Sequence, residues 1–115
     1  MSVTLLRLAA LVCFLAVALG AFGAHALKSA LQANAMLGVW EKAVFYHFIH
    51  GLALVVLAMQ GHRAAYFFLL AGILLFSGSL YVMAIANWKW IGAVTPLGGL
   101  CFLAGWAWLA IAPAR

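Results

Sequence analysis

The sequence predicts an all-α integral membrane protein: a four-helix bundle with a short interfacial amphipathic helix between its first and second spans. Two observations carry this reading. Of 115 residues, 70% are hydrophobic and only 6% charged, whereas soluble domains carry about 25% charged residues. Second, the stretches 8–27, 43–62, 64–88 and 90–114 contain no Lys, Arg, Asp or Glu. Each is long enough for the roughly 20 apolar residues that cross a bilayer as a helix. In hydrocarbon every backbone group must be paired inside its own element or a closed barrel, and no strand-like alternation is present. A soluble fold of this size would leave much of its apolar surface in water. The composition also excludes a disordered chain and a disulfide scaffold.

The spans are predicted near 5–24, 44–60, 64–86 and 95–112, within a single membrane domain covering 1–115. Span one has features of a signal peptide: an apolar run at Leu8–Leu19 and the small-x-small string Ala24-His25-Ala26. Its leading segment holds a single arginine, so it reads as a retained membrane helix. The following connection is amphipathic, with Leu27 and Leu31 on one face and Lys28, Ser29 and Gln32 on another. It is predicted as an interfacial helix at about 26–37, ended by Gly38. Glu41, the only acidic residue, then stands at the mouth of span two, where a negative charge favours a helix N-terminus. Gln60-Gly61-His62-Arg63 reads as a tight turn joining antiparallel spans two and three. Trp88 and Trp90 flank Lys89 as an interfacial anchor. Thr95-Pro96 reads as a helix N-cap followed by proline at the first helical position, and Pro113 marks the end of span four.

The formal net charge of +5 invites a nucleic-acid reading, but the six basic residues do not cluster into the patch that phosphate binding needs. They mark span ends instead. With four spans, one membrane face (A) receives Arg7, Arg63 and Arg115, and the other (B) receives Lys28, Lys42 and Lys89. This even division leaves orientation open.

The polar side chains are predicted to gather towards face B, as a candidate ligand site of His25, Tyr46, His47, His50, Ser77, Ser79, Tyr81, Asn87 and Thr95. His47 and His50, at i and i+3, share a helix face and are expected one to two turns into span two. Three chemistries are open to them. With His25 they could form a three-imidazole metal site or a proton relay, they could ligate haem, or they could hydrogen-bond across helices. Small residues that let membrane helices approach closely are expected at Ala16, Gly20, Gly23, Ala24, Gly78, Gly98, Gly99 and Gly105. Cys13 and Cys101 read as small packing residues.

Four strings go beyond composition: LGAFGAHALKSAL (19–31), WEKAVFYHFIHGLAL (40–54), LFSGSLYVMAI (75–85) and IGAVTPLGGLCFLAGWAWL (91–109). In this order, over nearly the whole chain, they resemble the domain-of-unknown-function 423 family of YgdD-type inner-membrane proteins, whose eukaryotic relatives are called transmembrane protein 256. The resemblance implies a small four-helix protein of the bacterial inner membrane and brings no activity, cofactor or substrate with it. The family motifs fall on Gly20, Gly23, His25, Tyr46, His47, His50, Ser77, Gly78, Ser79, Tyr81, Thr95, Pro96, Gly98, Gly99, Gly105 and Trp106.

The leading expectation is therefore a non-enzymatic accessory subunit or homo-oligomer, with the lipid bilayer, other membrane proteins or itself as partners and no nucleic acid. A small transporter or metal- or proton-handling protein using His25, His47 and His50 is the alternative. A quinone- or haem-associated redox subunit is a further one. The sequence names no cofactor.

Overall fold

The computed structural model describes residues 1–113; Ala114 and Arg115, and with them one of the three basic residues expected on face A, lie outside the described residues. Four helices are long and apolar enough to cross a membrane, and the described residues contain no strand.

The first span, α1 (Val3–Ala24), starts where the Ser2 hydroxyl accepts the Leu5 N–H at 3.2 Å. A short helix, α2 (Lys28–Ala33), follows and buries Leu31. It ends at Ala35, whose φ of 56° lies in the left-handed region. The Met36 N–H returns to the Leu31 carbonyl and the Ala35 N–H to that of Gln32, the bond pair of a Schellman end. Gly38, expected to stop this helix, instead sits in the first turn of the second span, α3 (Leu37–Gln60).

This early start of α3 corrects several expectations together. Glu41 lies in the second turn, too deep to cap the N-terminus. His47 and His50 lie 10 and 13 residues from Leu37, or about 15 and 20 Å into the helix. They are at mid-membrane depth, not near the wet boundary. Gly61, at φ 74°, closes α3 in the conformation that glycine adopts without strain.

The third span runs from Arg63 to Ala86 but is not one regular helix. Between α4 (Arg63–Gly72) and α5 (Gly78–Ala86) the segment Ile73–Ser77 forms a π-helical turn, in which the Gly78 N–H reaches back five residues to the Ile73 carbonyl. Asn87, at φ 53°, ends α5. After a 3₁₀ turn (Lys89–Ala93), in which Trp88 and Trp90 meet edge to face at 4.5 Å, the fourth span, α6 (Thr95–Ile111), begins. Thr95 is its first residue rather than its cap, with Pro96 beside it in the first turn.

The spans pack in chain order, α1 on α3, α3 on the third span, and the third span on α6. The two inner spans are the more buried and α6 the least. The Cα atoms extend over 46 × 25 × 17 Å, a slab whose long axis matches a bilayer of about 40–45 Å including headgroups. One apolar cluster, including Ala9, Leu54, Leu57, Tyr66, Leu69 and Phe102, fills the half nearer face A. A smaller one, Leu31, Met36, Trp40 and Ala84, seals the face B end.

Candidate functional site: a polar layer at mid-membrane

Between the two apolar clusters lies a layer of hydrogen-bonded side chains. His47 points from α3 between α1 and α5, with Nε2 2.9 Å from the Val12 carbonyl and Nδ1 2.8 Å from the Tyr81 hydroxyl. A carbonyl can only accept, so Nε2 carries a proton and donates to Val12, while Nδ1 pairs with the Tyr81 hydroxyl. His50, one turn deeper, faces α6. Its Nδ1–H donates to the Tyr46 carbonyl at 2.8 Å, its Nε2 accepts the Trp106 indole N–H at 3.1 Å, and its ring stacks on Phe102 at 3.7 Å. Sharing a helix face at i, i+3 therefore did not give the two rings common partners. Each imidazole has both nitrogens engaged.

The serines complete the layer. Ser77, fully buried in the π turn, donates to the Ala43 carbonyl at 2.7 Å. Ser79 donates to the Phe76 carbonyl at 2.9 Å and meets the Thr95 hydroxyl at 2.6 Å, so Thr95 ties α6 to α5 instead of capping its own helix. Tyr46 is part of the aromatic wall around His50, its ring 4.8 Å from that of Phe76. His25, by contrast, is exposed beyond α1, and Asn87 is an exposed helix end. The expected nine-residue constellation thus loses these two. The three-histidine metal set is not assembled: among the described residues no three His, Cys, Asp or Glu side chains come together as a metal-holding group.

The packing residues divide in the same way. A Cβ on Gly23 would run into the Trp40 indole, one on Gly98 into the Phe76 backbone, and one on Gly105 into Leu69. Gly20 stands against Val44, and Ala16 is fully buried. Gly78 and Gly99 have no such neighbour within 4 Å, and Ala24 is exposed. These three do not bring helices together.

Several structural residues escaped the sequence reading. Gly51 lets α3 approach Cys13 of α1, and Gly72 receives the Phe102 ring. Gly51 lies four residues after His47, a spacing that could have placed it on the α1-facing side. Trp40, given no role from the sequence, donates its indole N–H to the Leu19 carbonyl at 2.9 Å. Tyr66 and His62 show that polar side chains also work near face A. The Tyr66 hydroxyl donates to the Leu5 carbonyl at 2.7 Å, linking the third span to the first. His62 is buried, its Nδ1 accepting the Ala65 N–H at the start of α4 and its Nε2–H donating to the Ala112 carbonyl at 2.7 Å. It caps one helix and latches the end of another. His62→Ala should cost about 2–3 kcal/mol, combining a lost cap with a lost buried hydrogen bond. His62→Asn should recover part of this through the cap. Thermal unfolding in micelles checks the order, and equal loss in both variants would show that the cap contributes nothing.

A family model described as "Protein of unknown function (DUF423)" matches residues 19–99, from the end of α1 to the second turn of α6. The chain belongs to this family. Similar proteins include a UPF0382 membrane protein of Staphylococcus haemolyticus, 43% identical over 110 residues and covering 90% of this chain and 89% of the relative. UPF0382 inner membrane protein YgdD of Escherichia coli K12 is 42% identical over 118 residues, with 96% and 89% covered. UPF0382 membrane protein YwdK of Bacillus subtilis is 39% identical, with 94% of each chain covered. No solved structure matches. This DUF423 member is a multi-pass protein of the cell membrane, of the kind that includes the inner-membrane protein of E. coli.

Proposed function

We propose that this DUF423 protein is a non-catalytic packing subunit of the bilayer, an accessory subunit or homo-oligomer that engages its partner through α6. The observation that carries this is the open glycine on the least buried span. Gly99 lies on a groove of about 680 Å³ between α3 and α6, walled by Tyr46, Phe76, Phe102 and Trp106, and nothing stands within 4 Å of the place its Cβ would take. In membranes, small residues on a helix surface are where a second helix approaches closely. The interior chemistry supports the same reading. The described residues leave no fully buried side-chain nitrogen or oxygen without a partner, so the polar layer is spent on holding helices together.

Native mass spectrometry of protein released from nanodiscs, with disulfide trapping of Leu103→Cys in native membranes, tests this. A defined oligomer or a stoichiometric complex is expected. Gly99→Leu should abolish it while leaving the unfolding temperature near wild type. Monomers throughout, with no trapped species, would overturn the proposal.

A further inference from the structure

A second groove, on the other side of α3, has a different character. It holds about 460 Å³ between α1 and α3, with Val17, Gly20 and Ala24 on one wall and Phe45 and Phe48 on the other. Its lining extends from Trp40 to Ile49 along α3, about 14 Å along the helix axis. The lower part is wholly apolar. Glu41 is the sole acidic residue of a chain with net charge +5, and it is the only charged residue lining this groove. It sits in the second turn of α3, towards face B, exposed at the mouth. The N-terminus of α3 does not use this carboxylate, because the helix begins at Leu37, about one turn before Glu41.

We propose that this groove binds an aminophospholipid, one acyl chain lying between α1 and α3 and the primary ammonium of its headgroup on the Glu41 carboxylate. The charge selects the headgroup. A carboxylate at the mouth of an apolar groove favours a compact cation that can donate hydrogen bonds, which a primary ammonium does and a quaternary one cannot. Lys42, adjacent and exposed, supplies the opposite charge for the phosphate of the same headgroup. A zwitterionic lipid therefore matches the Glu41-Lys42 step better than one of either single sign. The groove opens to the bilayer along its side, so the second acyl chain stays among its neighbours. This site is separate from the α3–α6 groove of the functional proposal, and the two stand independently.

The test is lipid retention by native mass spectrometry from nanodiscs holding equal phosphatidylethanolamine, phosphatidylcholine and phosphatidylglycerol. Wild type should retain one phosphatidylethanolamine, about tenfold over either competitor. Glu41→Gln, nearly isosteric and uncharged, should reduce that preference to near parity, while Val17→Trp, which fills the groove and leaves the charge, should lower retention of all three. Any variant whose unfolding temperature falls is replaced by Glu41→Ser or Val17→Phe, respectively. Equal retention of the three lipids by wild type, or an unchanged preference in Glu41→Gln, would overturn the proposal. So would displacement of the phospholipid by an equimolar single-chain alkylammonium, or cross-linking of Val17→Cys to a second copy.

Discussion

Gly98→Ala is expected to destabilise the protein by about 3 kcal/mol, the upper part of the range for overpacking a filled site. A single methyl group is a small addition, but at Gly98 it would enter the Phe76 backbone, 2.7 Å from that residue's Cα and closer still to its nitrogen. Side chains can rotate away from such a contact, whereas the backbone of a packed helix can only move with its span. Phe76 also belongs to the π turn, so the bulge and the glycine form one close approach of α6 to the third span. Gly99→Ala provides the internal control. Nothing lies within 4 Å of its Cβ position, and replacing a mid-helix glycine by alanine stabilises by roughly 0.5–1 kcal/mol. Unfolding in mixed micelles should therefore move these adjacent substitutions in opposite directions. Equal stabilities for the two variants would mean that α6 is not seated on the π turn.

The same pair of glycines shows what the sequence could and could not convey. Both stand in one string of small residues, and spacing alone made both packing candidates. Which one touches a neighbour depends on the rotation of α6, which the third span sets. The span count needed no such information, because desolvating a charge in hydrocarbon is costly and the few charges consequently mark span ends. Boundaries were legible where a glycine turn or the end of an apolar run marked them, as at Ala24, Gly61 and Ala86. Leu37–Lys42 mixes Gly, Glu and Lys with apolar residues, so hydropathy placed the start of α3 near Val44, and the depths of His47 and His50 shifted with it. The π turn at Ile73–Ser77 left no compositional mark, since its residues are as apolar as their neighbours. His62 read only as part of a turn and Tyr66 carried no pattern, and only their partners, Leu5, Ala65 and Ala112, reveal them as links between helices.

His47→Ala is the second large effect expected, a loss of about 3 kcal/mol. The substitution opens a cavity between three helices and leaves the Val12 carbonyl and the Tyr81 hydroxyl without their shared partner. Hydrogen bonds between membrane helices are individually modest, averaging about 0.6 kcal/mol in double-mutant cycles, so most of the loss should come from the cavity and the orphaned groups. A cycle with Tyr81→Phe separates these contributions. Phenylalanine keeps the ring that packs 4.8 Å from Trp40 and removes only the hydroxyl, and the coupling should be about 0.6–1.7 kcal/mol. His25→Ala, on an exposed side chain, should stay within about 0.5 kcal/mol of wild type. Sequence spacing grouped His25 with His47 as equivalent ligands, whereas the structure makes one a bridge between helices and leaves the other at the surface. Zero coupling between His47 and Tyr81, or equal destabilisation by His25→Ala and His47→Ala, would contradict the bridge, and a stability measurement decides this without any ligand being known.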